Sequence, residues 1–586
     1  MHKSSAKKTK TPKTRFETTA QAYLELLALR GIKYFFGNSG TDFASIVDAF
    51  AGRQARGQRF PQPITVLHET PLVSMAHGYY LISGKPQVAM VHVGVGTANG
   101  LGALMAASKG RVPMLFSAGR TPITEAGNPA SRRVYIHWGQ EAFDQAGMLR
   151  EYVKWDYELR QPAQLETVID RALAVAMSEP RGPVYLTFPP EVLSAPFSGA
   201  RFRAELRYDL PRFQPAPPKI DEAARLLRQA RFPIIITSSL GRTPAAVDAL
   251  VHLAETARIG VISFNPDCMN FPLNHPCHLG FLSHTLIPSA DLILAIECDV
   301  PWYPNQIQPH ATTPVIQIGV DPLYGSYPIR GFPSDLTLQG DPVLVLNEIT
   351  RALKQNGVDQ KRCSAREKKL QDIHAGLIQT LEQSTRSAAG ALPLDIAWVS
   401  SRVNQILGPD TIVVNEYDNA MKEQSNLLAG RYFSSPHAGY LGWGLGAALG
   451  AKLASPQDTI IATVGDGSYI FGVPSACHAV SAMHQLPILI IVYNNQNWQA
   501  VKRATRALHP DGWAARTGNF PLSDLAPEAC YEKICEAFGG YGERVERPEQ
   551  LDPALKRAHK VVRNEGRQAL LNIICKQIAP RKTQSE

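Results

Sequence analysis

The sequence predicts an α/β protein built of three doubly wound parallel-sheet domains, and three observations carry that expectation. Short apolar runs of strand length alternate with stretches of helical character along almost the whole chain, the pattern that helices covering parallel sheets produce. Two passages interrupt the alternation: the proline-rich LPRFQPAPPK, and the polar KQNGVDQKRCSAREKKLQD that leads through SAAGALPLD. The chain of 586 residues is too long for one core, so two or three domains are expected.

The elements follow in order. A lysine-rich opening without periodicity, MHKSSAKKTKTPKTR over residues 1–15, reads as a disordered tail. The first domain, 16–195, carries YFFG, ITVLHE, VAMVHVG, VPMLFSAG and PVYLTFP as strands. The second, 196–385, carries PIIITSS, GVISFN, DLILAIECD and TPVIQIGVD, and the third, 386–580, carries TIVVNEY, DTIIATVGD, PILIIVYNN and ALLNIIC. No short-period repeat appears, although the first and third domains are expected to be distant structural relatives.

Composition narrows the class. A hydrophobic fraction of 44% with 19% charged residues describes a water-soluble globular chain, and no apolar run is long enough to span a bilayer. With nothing at the N-terminus resembling a secretory signal, a cytoplasmic protein is expected. The eight cysteines lack paired spacing and read as reduced thiols; Cys268, Cys277 and Cys298 near His275 and His278 are too irregular for structural zinc. Part of the net charge of +9 belongs to the opening tail, and no base-stacking or zinc-finger pattern accompanies it, so no nucleic-acid partner is expected.

The chemistry concentrates at two strand ends. Gly465-Asp466-Gly467 closes the apolar run TIIATV, and Asn494-Asn495 closes the next, PILIIVY. An aspartate between two glycines projects its carboxylate from backbone that a ligand can approach closely. Ser468 then falls near a helix N-terminus, where free N–H groups favour an anion. A carboxylate and an amide oxygen at neighbouring strand ends suit Mg²⁺, which keeps room for phosphate oxygens. An ordinary βαβ turn is the plainer alternative for either half alone.

The passage GDGSYIFG…VYNNQNW resembles the diphosphate-binding signature of the thiamine diphosphate-dependent enzymes, the superfamily of acetolactate synthase, pyruvate decarboxylase and benzoylformate decarboxylase. The resemblance extends over all but the first fifteen or so residues. It implies pyrimidine-binding, central and diphosphate-binding domains in that order, with thiamine diphosphate and Mg²⁺ as cofactors. By motif the metal ligands are Asp466, Asn495 and the carbonyl of Asn497; the interval between the motifs is about two residues longer than the family pattern, which leaves Asn494 and Asn495 both open. Gly465, Gly467, Ser468 and Trp498 fall along the diphosphate.

The same resemblance places the activating glutamate at Glu69, in ITVLHETPLVSMAHGYYLISGKP, where a carboxyl group promotes the imino tautomer of the aminopyrimidine. In HAGYLGWGLGAALGAKLA, Leu441 takes the position of the apolar wedge beneath the two rings and Gly439 that of a close approach. Asp418 and Asn419 fall where the family contacts the cofactor, and serve equally as a helix N-cap. Because Glu69 and Asp466 lie in different domains, and the family draws these from different subunits, a homodimer or homotetramer is implied. FAD in the central domain, as in some relatives, is left open.

Substrate residues agree with no single branch. Thr41 in GNSGTDF and His92 in VHVGVGTANG stand where benzoylformate decarboxylase-like enzymes carry a substrate-binding serine and an active-site histidine. A helix cap and a core histidine are their plainer readings. The twin histidines of pyruvate decarboxylases are absent, Ser39 replaces the usual loop proline, and Trp302 and Tyr303 replace a histidine-bearing stretch. Gln140 and Gln145 both compete for the catalytic glutamine of acetolactate synthases. The expected activity is a lyase or carboligase that decarboxylates a 2-oxo acid, with an acetolactate synthase-like transferase as the alternative and a non-catalytic cofactor-binding protein as a third class.

Overall fold

The computed structural model describes residues 16–197, 202–204, 208–417, 420–525 and 527–577, and it contains three parallel sheets. The expected tail, 1–15, and both Asp418 and Asn419 lie outside the described residues. The first sheet comprises β1 (Tyr34–Gly37), β2 (Gln62–Thr65), β3 (Val88–Val91), β4 (Leu115–Gly119), β5 (Asp156–Glu158) and β6 (Val184–Phe188), ordered 2-1-3-4-6-5. The central sheet comprises β7 (Pro233–Thr237), β8 (Gly260–Ser263), β9 (Leu292–Ile296), β10 (Val315–Gly319) and β11 (Leu336–Gln339), ordered 11-10-9-7-8. The third comprises β12 (Thr411–Glu416), β13 (Tyr432–Ser434), β14 (Thr459–Gly465), β15 (Leu489–Asn494), β16 (Tyr541–Val545) and β17 (Ala569–Ile574), ordered 13-12-14-15-17-16.

Interior strands such as β4, β7, β9, β14 and β15 are buried at every residue, because helices cover both faces of each sheet. The passage ITVLHE is a strand only as far as Thr65; Glu69 is the first residue of the helix Glu69–Ser83, which His68 caps by accepting from Thr70 N. The first and third sheets share one strand order, the relationship expected between those two domains.

A pair of equivalent helices joins them. Glu69–Ser83 follows β2, Trp443–Ala454 follows β13, and the two lie in direct backbone contact. A Cβ on Gly78 would stand 2.0 Å from the Ala447 carbonyl oxygen, and one on Gly450 would stand 2.0 Å from that of Met75. Leu72, Val73 and Met75 consequently share one apolar core with Trp443, Ala447 and Leu449.

Two polar clusters fix the central domain against its neighbours. Glu297 accepts from Arg111 of the first domain at 3.2 Å and from Arg242 at 3.1 Å. From the third domain, the His437 ring reaches Asp299 at 2.8 Å through Nδ1 and the Asn265 carbonyl at 2.8 Å through Nε2. Burial opposes charge on His437, but its bond to Asp299 and that carboxylate's charge outweigh burial and raise it to about 9.

Candidate active site

At the end of β14 the two glycines are demanded by packing. A Cβ on Gly467 would lie 2.2 Å from the Trp498 ring, and one on Gly465 would lie 2.8 Å from that of Tyr417. Asp466 between them is buried, and its Oδ1 accepts from Gly467 N at 3.0 Å. Its Oδ2 is buried without a hydrogen-bond partner among the described residues. Burial raises the carboxyl to about 6, against neighbouring backbone N–H groups that favour its charge.

The asparagines separate by geometry. Asn494 turns into the sheet, donating from Nδ2 to Asn572 Oδ1 at 3.0 Å. Asn495 donates to the Tyr417 hydroxyl at 2.8 Å, and its Oδ1 accepts from Asn497 N at 3.1 Å. The Asn497 carbonyl, the expected ligand, accepts from Gln499 N at 2.9 Å, while its side-chain Oδ1 is buried without a partner among the described residues. Asp466 Oδ2 and Asn497 Oδ1 thus leave two hard oxygen acceptors on one cavity, a set that fits Mg²⁺. The interval between the motifs contains a break between helices Asp466–Phe471 and Pro474–Met483, where Val473 adopts φ +52°.

That cavity, about 440 Å³, is lined by Glu416, His437, Leu441, Asp466, Ser468 and Trp498, among others. Ser468 sits in the first turn of its helix. Leu441 precedes Gly442, whose φ of +92° turns the chain into the helix Trp443–Ala454; Gly439 is exposed at φ +67°. Glu416, which the sequence reading passed over, ends β12 and holds this turn. Gly442 N and Gly444 N each donate to its carboxylate at 2.5 Å. Burial raises Glu416 to about 7 in spite of those donors. A glutamate closing the strand-length run TIVVNE, which is buried at every residue, was the available signal.

The second cluster lies on the first domain. Glu69 is buried and accepts from Asn99 Nδ2 at 3.3 Å, and a Cβ on Gly96 would come within 3.1 Å of its Oε1. His92 follows β3, and its Nδ1 lies 2.5 Å from Oδ1 of the buried Asp42, which follows β1. Oδ2 of Asp42 accepts from Val93 N at 3.2 Å. The bond to Asp42 raises the pKa of His92; burial opposes the shift and the Asp42 charge reinforces it. Glycines make room for the pair: a Cβ on Gly40 would fall 2.1 Å from His92 Nδ1, and one on Gly119 would fall 2.0 Å from Asp42 Oδ2.

His92 Nε2 meets Gln140 Nε2 at 3.2 Å, the distance of a hydrogen bond once the amide is turned to suit the ring's protonation. Gln140 lines a cavity of about 260 Å³ together with Thr41, Ser45, His92, Arg120 and Arg133. Gln145, its competitor in the sequence, is buried and donates to the Gly119 carbonyl and the Tyr185 hydroxyl, a structural role. Thr41 is exposed on the cavity and makes no capping bond to the helix Ala44–Ala55. Of the central aromatics, Trp302 is a core residue packed edge-on against Phe332, and only Tyr303 is exposed.

The two cavities have no lining residue in common within one chain. Both domains carry exposed apolar side chains: Val95, Trp138 and Phe143 on the first, Phe471, Val501 and Trp513 on the third. Among the described residues no helix is long and apolar enough to cross a membrane.

Known proteins share this architecture. Residues 17–148, 220–349 and 420–573 match the N-terminal TPP binding, central and C-terminal TPP binding domains of the thiamine pyrophosphate enzymes. Sulfoacetaldehyde acetyltransferase of Rhodobacter capsulatus is 26% identical over 92% of this chain and 91% of its own length. Benzoylformate decarboxylase of Pseudomonas aeruginosa is 27% identical over 92% of this chain and 96% of its own. The crystal structure of benzoylformate decarboxylase from Polynucleobacter necessarius superposes with a TM-score of 0.75 at 20% identity, covering 96% of this chain and all of that one. With all three domain types matched in order along its length, the chain belongs to the thiamine pyrophosphate enzymes.

Proposed function

We propose that this chain is a thiamine diphosphate- and Mg²⁺-dependent lyase or carboligase that decarboxylates a 2-oxo acid, working as a homodimer or a pair of homodimers. Thiamine diphosphate, when bound, would supply the carbon nucleophile and the electron sink that decarboxylation of a 2-oxo acid needs. In this reading Asp466, Asn495 and Asn497 hold the cation, with Asp466 Oδ2 and Asn497 Oδ1 as the open acceptors. Ser468, Gly467 and Trp498 border the diphosphate, Leu441 supports the rings, and Glu69 holds a proton against the pyrimidine. The exposed apolar residues of the first and third domains support a second copy that brings one chain's Glu69 to the other's Asp466.

The observation that carries the decarboxylase reading is His92. Bonded to Asp42, which raises its pKa, and linked to Gln140 at the cavity wall, it is placed to serve as a proton donor of the kind that decarboxylation requires after CO₂ has left. Thr41 offers its hydroxyl to the substrate carboxylate on the same wall. The transferase alternative is supported by the acetyltransferase of Rhodobacter capsulatus, which is as similar to this chain as the decarboxylase is.

The test is to supply thiamine diphosphate, Mg²⁺ and a series of 2-oxo acids and to follow CO₂ together with aldehyde, 2-hydroxyketone and acyl products. CO₂ with an aldehyde or hydroxyketone is expected; acyl transfer to a second substrate would establish the alternative, and no turnover by cofactor-loaded protein would overturn both. Glu69→Gln is expected to abolish deuterium exchange at the reactive carbon of bound thiamine diphosphate, and unchanged exchange would remove Glu69 from that role.

A further inference from the structure

We infer that the cavity beside His92 selects a 2-oxo acid whose far end bears a second oxyanion, a carboxylate or sulfonate, bound by Arg133 with Arg120. This rests on the proposed decarboxylase or carboligase reading and adds the class of substrate to it.

Asp42 is the sole carboxylate that lines the cavity, and both its oxygens are committed, one to His92 and the other to Val93 N. Arg120 is braced by Glu141 at 2.6 Å and by Glu158 at 3.5 Å, neither of which lines the cavity. Glu141 is itself divided, because Arg132 at 2.5 Å and the Thr121 hydroxyl at 2.5 Å also bind it. Arg133 donates to the Pro129 carbonyl and has no carboxylate partner among the described residues. Asp42 is taken by His92, and Glu141 and Glu158 by Arg120 and Arg132, which leaves Arg133 as the arginine of this wall with no carboxylate partner among the described residues.

The remaining lining agrees. Thr41 and Ser45 present hydroxyls with no partner among the described residues, and Ala44, Val93, Pro122 and Pro190 supply apolar wall of a size for a short aliphatic stem. A guanidinium is a planar donor matched to carboxylate or sulfonate oxygens. An aromatic substrate filling the same space would leave those donors unpaired, a larger penalty than a poorly filled apolar pocket carries.

Two arms test this on the full chain loaded with thiamine diphosphate and Mg²⁺. In the first, kcat/KM is compared for 2-oxoglutarate, 3-sulfopyruvate, 2-oxopentanoate and benzoylformate; an acid with a second oxyanion is expected to lead by about 100-fold. The two dianionic acids between them tell carboxylate from sulfonate. In Arg133→Gln, the loss for dianionic acids is expected to exceed that for 2-oxopentanoate by about tenfold or more, mostly in KM. In the second arm, glutarate and pentanoate are titrated calorimetrically without turnover, and glutarate is expected to bind at least about tenfold tighter, a difference Arg133→Gln erases. Preference for benzoylformate or 2-oxopentanoate, or equal losses for all substrates, would overturn the inference. Absence of turnover with tight glutarate binding would instead count against the catalytic reading and leave the cavity assignment standing.

Discussion

β3 and β14 occupy the same place in identical strand orders, yet the first delivers a histidine and the second an aspartate. In each sheet the strand beside it is the first of its domain, β1 or β12, and from that pair the chain winds outward in opposite directions. Such a junction opens a crevice at the carboxyl ends of a parallel sheet, and both cavities lie there. The two crevices are furnished oppositely. On the first domain, Asp42 after β1 meets His92 after β3, and the pair satisfies itself. On the third, Glu416 after β12 is absorbed by backbone donors, while Asp466 after β14 keeps an unpartnered oxygen. In one crevice the acidic side chain has its partner within the chain, and in the other it keeps an open acceptor. The shared fold supplies two crevices, and a few side chains at equivalent strand ends make their chemistry different.

The comparison is broken most severely at Asp466. Asp466→Asn is expected to weaken Mg²⁺-dependent binding of thiamine diphosphate by at least about 100-fold, read by fluorescence titration. The cofactor-free variant should be no less stable than the wild type at pH 8. The sign follows from linkage: a carboxyl raised to about 6 when folded and titrating near 3.8 when unfolded costs stability as pH rises between those values, and Asn removes that cost. Unaltered cofactor affinity would show that the open oxygen holds no metal.

Glu416 tests whether the second crevice depends on its brace. Glu416→Gln loses one acceptor for Gly442 or Gly444, so the turn bearing Leu441 loosens and the dissociation constant of thiamine diphosphate is expected to rise about tenfold. Because the wild-type carboxyl is raised to about 7, the two proteins should differ little below that pH and diverge above it. A gap that does not change with pH would mean the charge of Glu416 is not what holds the turn.

The smallest expected effect sharpens the first crevice. In Asp42→Asn the imidazole loses the partner that raises its pKa, so the alkaline limb of the kcat/KM profile should move to lower pH. The rate at the optimum should fall by less than about tenfold, since the imidazole itself remains. A rate loss without movement of that limb would show that Asp42 only packs against the ring.

Much of the fold was legible because buried parallel strands are uninterrupted apolar runs, as in PIIIT and TIIATV. The strands that escaped notice, β5, β11, β13 and β16, are all edge strands. Edge strands are half exposed and carry charge, as DYE and YGERV do, so no apolar run announces them. The site divides in the same way. Asp466 and His92 stand at strand ends near glycines, Glu69 opens a helix in a passage of distinctive sequence, and all three could be found from local pattern, whereas Asp42 and Glu416 gain their meaning from partners 50 and 26 or more residues away.

By itself the sequence determined three α/β units and the diphosphate signature, because apolar periodicity and glycine-flanked strand ends are local properties of the chain. Tertiary structure alone decided that Asn494 points into the sheet, that Gln145 is structural while Gln140 lines a cavity, and that Trp302 belongs to a core. It also decided that Asp42 bonds His92 and that Asp466 keeps an open oxygen. Each of these depends on which side chain from a distant strand arrives within hydrogen-bond reach, and that is settled only when parallel strands are laid side by side.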